Sequence, residues 1–153
     1  MCEFYMMTRY DLPWVLEIEN NVAASPWGEN IFTDCLDNNQ YRGVVIRVSE
    51  QNIGFAMLSV VLDELHLLNI AISTSWQGKG YGRKLLHYII EQAKLSNLKQ
   101  IFLEVRLSNK TAQSLYLSKG FNEIDCRKNY YPAAKNQTGH EREDALIYAL
   151  QIL

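Results

Sequence analysis

The sequence predicts a mixed α/β fold: one mostly antiparallel sheet of about seven strands with helices on both faces. Three observations carry that prediction. Tyr41 to Val48, Ile53 to Leu62 and Leu65 to Ile72 are runs rich in apolar and β-branched residues, separated only by short polar turns. From Gly80 to about Ser96, Leu85, Leu86, Ile89, Ile90 and Ala93 fall at helical spacing. Directly after them, Ile101 to Val105 is a near-continuous apolar run of the kind found in a strand covered on both faces, one that pairs parallel to the strand before the helix.

In chain order, an opening strand precedes Asp11, the expected N-cap of a helix carrying Leu12, Val15, Leu16 and Ile18, with Pro13 tolerated in its first turn. Pro26-Trp27-Gly28 breaks the chain, and a short helix covers about Glu29 to Leu36. Polar Ser49-Glu50-Gln51-Asn52 and then Asp63 turn the next three strands into an antiparallel meander. After the long helix and the apolar strand, Ser108-Asn109 caps a second helix over about Lys110 to Lys119, and Gly120 ends it. Strands near Asn122 to Lys128 and Ala145 to Leu150 complete the sheet.

The 153 residues, 48% hydrophobic and 11% aromatic, suffice for a packed core in one domain spanning 1–153. A formal net charge of −2 lacks the basic excess of a nucleic-acid binder. The longest apolar run, Phe55 to Leu62, falls short of the roughly 20 residues that cross a bilayer, and Glu3, Arg9 and Asp11 interrupt any signal-like start. The expectation is a cytoplasmic monomer that engages neither nucleic acid nor membrane. Cys2, Cys35 and Cys126 are odd in number and widely spaced, and His66, His87 and His140 follow no metal-ligand spacing, so neither disulfide nor metal is expected.

Three features point to chemistry. Gln77-Gly78-Lys79-Gly80-Tyr81-Gly82-Arg83 lies between a strand and a helix, where glycines leave amides unobstructed and the helix adds unpaired N–H groups and a positive dipole end. That is a cradle for a pyrophosphate-bearing ligand, or a plain surface turn. The spacing G-x-G-x-G is not the G-x-G-x-x-G of a dinucleotide fold, and no G-K-[ST] follows it, which excludes a P-loop. Glu104 is a carboxylate within an apolar strand, and desolvating it costs several kcal/mol unless it faces a cleft or pairs, with Arg106 the partner at hand on the same strand face. Asn109 and Tyr116 are seven residues apart, about two helical turns, so one helix face presents an amide and a phenol, although spacing alone favours a plain N-cap and a core aromatic.

Gln77 to Gly82 fits the Q/R-x-x-G-x-G/A motif of the GCN5-related N-acetyltransferases, and the element order resembles their fold over the whole chain. Pro26-Trp27, Asn69-Ile70-Ala71-Ile72, Leu103-Glu104-Val105-Arg106, Ser108-Asn109, Leu115-Tyr116, Gly120 to Glu123, Arg127 to Pro132 and Arg142 to Ala145 resemble the branch of that family that acetylates an N-terminal alanine of a bacterial ribosomal protein. The resemblance implies acetyl-CoA as cosubstrate, no metal, and a protein N-terminus as acceptor, that of a small-subunit ribosomal protein. It also implies roles: Glu104 as general base, Tyr116 as general acid, Ile70, Ala71 and Ile72 as the backbone edge for the acyl arm, Gly78 to Arg83 as the pyrophosphate loop and Asn109 as a further cofactor contact. Tyr130 and Tyr131, in the loop between the last two strands, are expected to wall the peptide groove, with Trp27 near it. Ser73-Thr74 and the segment Ala133 to Glu141 depart from the family pattern.

The acceptor chemistry is consistent with a terminal amine. At pH 7 an α-amine is about 15% neutral and a lysine amine about 0.04%, so a modest base suffices for the first. Lysine or small-molecule amines, and a non-catalytic acyl-CoA sensor, are the alternatives.

Overall fold

The computed structural model describes residues 1–133 and 142–152. Strands Cys2–Met6 (β1), Tyr41–Val48 (β2), Gln51–Val61 (β3), Glu64–Ile72 (β4), Gln100–Arg106 (β5), Asn122–Tyr131 (β6) and Glu143–Gln151 (β7) form one sheet, and helices Leu12–Val22 (α1), Glu29–Leu36 (α2), Tyr81–Leu95 (α3) and Lys110–Ser118 (α4) join them. The strand order is β1-β2-β3-β4-β5-β7-β6. β4 and β5 are its one parallel pair; the other neighbours run antiparallel. The mixed, mostly antiparallel sheet predicted from the sequence is the one observed, and the segment from Ala133 to Glu141 lies, apart from Ala133, outside the described residues.

Two cores follow from the alternation of side chains across the strands. Val45, Phe55, Met57 and Ala71 pack with Val15, Ile18 and Phe32 of α1 and α2. On the other face Ile46, Ala56, Leu58, Leu103 and Val105 pack with Leu85, Leu86, Ile89 and Tyr116 of α3 and α4. β3 is therefore buried on both sides over most of its length.

β5 is not. Ile101, Leu103 and Val105 are buried while Phe102, Glu104 and Arg106 are only partly covered. The apolar run had suggested cover on both faces; α1 and α2 instead pack over β2, β3 and β4 and leave that side of β5 open. Two other local expectations change. Asp11 stands at the N-cap of α1 as expected, but it also closes a 3-10 turn over Arg9–Asp11 and makes no side-chain cap hydrogen bond: its carboxylate accepts from the Thr8 N–H at 2.9 Å and from Trp14 Nε1 at 3.1 Å. The β2–β3 turn is confined to Ser49 and Glu50, both at positive φ, so Gln51 and Asn52 belong to β3.

Candidate active site

β4 and β5 stay paired only from Glu64↔Gln100 to Leu67↔Leu103. Beyond that they part, and the cause lies in β4. Met57 faces Asn69 while Leu58 faces Leu67, so Leu68 is an extra residue that bends the strand. Glu19 of α1, 1% exposed, secures the bend, its Oε2 accepting from Asn69 Nδ2 at 3.0 Å and from the Trp27 N–H at 3.0 Å. Those hydrogen bonds offset the several kcal/mol that burial of a carboxylate costs.

The gap is a cleft of about 370 Å³ lined by Asn69, Ile70 and Ala71 from β4, Glu104 to Arg106 from β5, and Asn109, Ala112 and Tyr116 at α4. Glu104 also lines a second, adjoining cleft of about 670 Å³, bounded by Phe102, Ile124, Arg127, Tyr130 and Tyr131. One carboxylate therefore faces both spaces. Glu104 Oε1 lies 3.4 Å from Arg127 Nη1. Arg106, the partner suggested by spacing, instead pairs with Glu143, Nη1 to Oε1, at 3.1 Å. The register of β6 against β7 decides this by carrying Arg127 to the cleft side of β5 through β7.

Tyr116, 5% exposed, stands edge-on to Tyr148 with ring centroids 6.2 Å apart. Burial first, and Tyr131 second, push its hydroxyl well above the ordinary phenol value, so it is a protonated donor at neutral pH. Burial, then the nearby Glu104 charge, push Tyr131 up to about 12. Tyr130 and Tyr131 belong to the end of β6 and not to a loop; their rings are 5.2 Å apart and nearly perpendicular. The β6–β7 pairing reaches Tyr131↔Glu143, which draws both tyrosines into the strand.

Asn109 is the N-cap of α4, its Oδ1 accepting from the Ala112 N–H at 3.1 Å, and it lines the cleft as well. The expected cap and the expected place beside the cleft coincide in one residue.

The glycine loop lies off the cleft, at the start of α3. Gln77 Nε2 donates to the Ile72 carbonyl at 2.9 Å and fastens the loop to the end of β4. Gly78 and Gly80 have φ of +75° and +88°, and open space lies where a Cβ would stand at either. Gly80 caps α3 without a side-chain acceptor, and the first turn of α3 carries no acidic residue. Lys79, Arg83 and Lys84 surround these amides in sequence. Open, uncapped amides among cations suit a phosphate-bearing group. Ile72 is 9% exposed and turned into the core, so at that position only the backbone is offered.

Sequence reasoning missed Glu19, the pairing of Arg127 with Glu104 and that of Arg106 with Glu143. Their partners lie up to 81 residues away in sequence, and no local pattern marks them. Among the described residues no group of three or more histidine, cysteine or acidic side chains could hold a metal ion, and no helix is long and apolar enough to cross a membrane.

The sheet opens at its parallel pair, with Glu104 and Tyr116 lining the gap and an amide cradle at the start of the helix after β4, an arrangement suited to acyl transfer. The family model described as acetyltransferase (GNAT) family matches residues 7–121, and the chain belongs to that family. It is 40% identical over 147 residues to the [ribosomal protein bS18]-alanine N-acetyltransferase of Salmonella typhimurium, covering 96% of this chain and 95% of that one. The crystal structure of the ribosomal-protein-S18-alanine N-acetyltransferase from Escherichia coli superposes with a TM-score of 0.90 at 38% identity, over 99% of this chain and 94% of that one. Spermidine N-acetyltransferase from Vibrio cholerae, in complex with CoA and spermine, shares the fold at a TM-score of 0.84 and 20% identity, over 98% of this chain and 95% of that one. The resemblance read from the motifs holds, and the chain is an N-acetyltransferase rather than a binding module.

Proposed function

We propose that this enzyme transfers acetyl from acetyl-CoA to the α-amine of a protein beginning with alanine, with ribosomal protein bS18 as the acceptor. The observation that carries the reading is the position of Glu104, where a cleft along the free edge of β4 meets a second one walled by tyrosines. The relatives' names supply the acceptor.

Acetyl-CoA, when bound, supplies the activated acetyl group as a thioester. The backbone of Ile70, Ala71 and Ile72 would hold its acyl arm, as strand edges hold extended ligands. Gly78 to Arg83 would take the pyrophosphate through amides and the α3 dipole, with Gln77 fixing the loop and Asn109 adding a contact.

The acceptor amine approaches through the second cleft, between Tyr130, Tyr131 and Trp27. Glu104 takes its proton, directly or through one water. As the guanidinium of Arg127 or the incoming amine can occupy the space beside that carboxylate, binding of the peptide exchanges one cation for another. In the same cleft the Tyr116 hydroxyl, held neutral by its burial, donates a hydrogen bond to the group that departs. The tyrosine-lined second cleft favours an extended peptide over a compact amine.

The test is acetyl-CoA turnover, read as free thiol, with peptides copying the first residues of bS18 and varied one position at a time. Alanine-first peptides should react fastest. Faster reaction of a terminus-blocked lysine peptide, or of spermidine, would overturn the acceptor assignment.

A further inference from the structure

Arg106 ends β5 two residues beyond Glu104, and its side chain is only 11% exposed. Its guanidinium joins three separate segments. Nη2 donates to Ser25 Oγ in the α1–α2 loop at 2.7 Å. Nη1 donates to the Pro132 carbonyl just after β6 at 2.9 Å and to Glu143 Oε1 at the start of β7 at 3.1 Å. Its carbon centre lies 4.6 Å from the centroid of the Tyr131 ring. Glu143 is itself fixed, Oε2 accepting from the Ser108 N–H at 2.6 Å.

Two of these segments reach the tyrosine-lined cleft through Trp27 and Tyr131, which border the first cleft as well, where Ser25 and Arg106 themselves lie. Each has anchors of its own, and Arg106 bonds to both. The loop from Ala23 to Gly28 is also held by the Ala23 N–H on the Glu19 carbonyl, the Trp27 N–H on Glu19 Oε2, the bond from the Ile31 N–H to the Gly28 carbonyl and the Trp27 ring on Phe32, 5.2 Å between centroids. The β6–β7 register is interrupted between Arg127 and Tyr131. One planar cation therefore ties together the two sides of the cleft at the strand that carries Glu104.

We infer that Arg106 is a positioning residue for acceptor specificity: it fixes the separation between the Ser25 loop and Tyr131, and so fixes the width of the acceptor mouth beside Glu104. Arginine suits this task because its flat fork offers five donors in one plane and a face for an aromatic ring. Lysine keeps the charge but offers three donors on a single nitrogen, which cannot span Ser25 and Pro132 while covering Tyr131. The inference rests on the second cleft being the acceptor groove; it adds what sets that groove's width.

The experiment measures KM for an alanine-first peptide, KM for acetyl-CoA, kcat and the melting temperature in wild type, Arg106→Lys and Ser25→Ala. Loss of charge-assisted contacts at a binding wall should raise the peptide KM about tenfold in Arg106→Lys, with the acetyl-CoA KM unchanged and kcat at saturating peptide within about twofold. Ser25→Ala, which cuts one tether only, should raise the peptide KM by a smaller factor with the same selectivity. An unchanged peptide KM in Arg106→Lys overturns the inference, as does an equal rise in both KM values, since either makes Arg106 a prop for the fold alone. If Arg106→Lys fails to fold, Ser25→Ala decides, and a wild-type peptide KM there overturns the proposal. Failure of the functional reading is seen separately, as a wild type that prefers a blocked lysine peptide; the same KM split is then read with that acceptor.

Discussion

Replacing Glu104 by Gln keeps the side chain's size and removes its ability to accept a proton. The fold should hardly notice. The contact with Arg127 spans 3.4 Å between side chains 32% and 54% exposed, a solvent-screened pair of at most about 1 kcal/mol. In a chain of this length that moves the melting temperature by no more than about 2–4 °C. Catalysis should suffer far more, because a positioned base contributes about 10²- to 10⁴-fold. At pH 7 about 15% of an α-amine is already neutral, and by pH 9 nearly all of it is, so the residual rate of the variant should rise about sixfold across that range while the wild type rises less. The assay is thiol release at pH 7, 8 and 9 with an alanine-first peptide, beside acetyl-CoA affinity by calorimetry. The base assignment is refuted if the variant keeps more than a tenth of wild-type activity at pH 7, or if the loss is matched by weaker acetyl-CoA binding.

Tyr116→Phe should lower kcat at least about 100-fold and leave acetyl-CoA affinity intact, since only the donor hydroxyl is removed; unchanged kcat would exclude it as the acid. Tyr131→Ala should raise the peptide KM, and an unchanged value would show that this ring is no wall of the groove. A Cβ at Gly54 would meet the Ala71 carbonyl at 2.6 Å and Ile72 Cδ1 at 2.6 Å, so Gly54→Ala should cost about 1–3 kcal/mol and weaken acetyl-CoA binding, both read from melting curves with and without ligand. Burial raises the Glu143 carboxyl, but hydrogen bonds from Ser108 and the Arg106 charge outweigh it and hold the group below the usual carboxylate range. Its stabilising contribution is therefore complete above about pH 4.3 and lost as the pH falls below it, so Glu143→Gln should flatten the acid side of the stability profile; an unchanged acid limb would contradict that linkage.

Strand and helix periods were legible because each is local: Leu85, Leu86 and Ile89 mark the buried stripe of α3 without knowledge of what covers it. The glycine turn before α3 was legible for the same reason, since glycine at positive φ is a backbone requirement written in one residue. What the sequence withheld are pairings between distant segments. Glu104 near Arg106 looked like an ion pair because they share a strand face, yet β7 and β6 bring Glu143 to one and Arg127 to the other. The apolar run at β5 also misled, because hydrophobic content says that a face is fit to be covered, not that α1 and α2 extend far enough to cover it.

The site exists because the one parallel pair in the sheet is short. An antiparallel neighbour of β4 could have continued pairing through Ile72, and every backbone group from Leu68 onward would then have been satisfied within the sheet. Three features prevent this: the extra residue Leu68 turns β4 aside, Glu19 draws Asn69 toward α1, and Gln77 claims the Ile72 carbonyl. The sheet thus leaves an unpaired edge facing Glu104, and exposed strand edges invite an extended ligand. Since Glu19 also holds Trp27, the residue that bends β4 away from β5 anchors the loop between α1 and α2. Arg106 ties the same loop to the end of β6 from the other strand, so the opening of the sheet and the placing of these two segments beside it are one structural event rather than two.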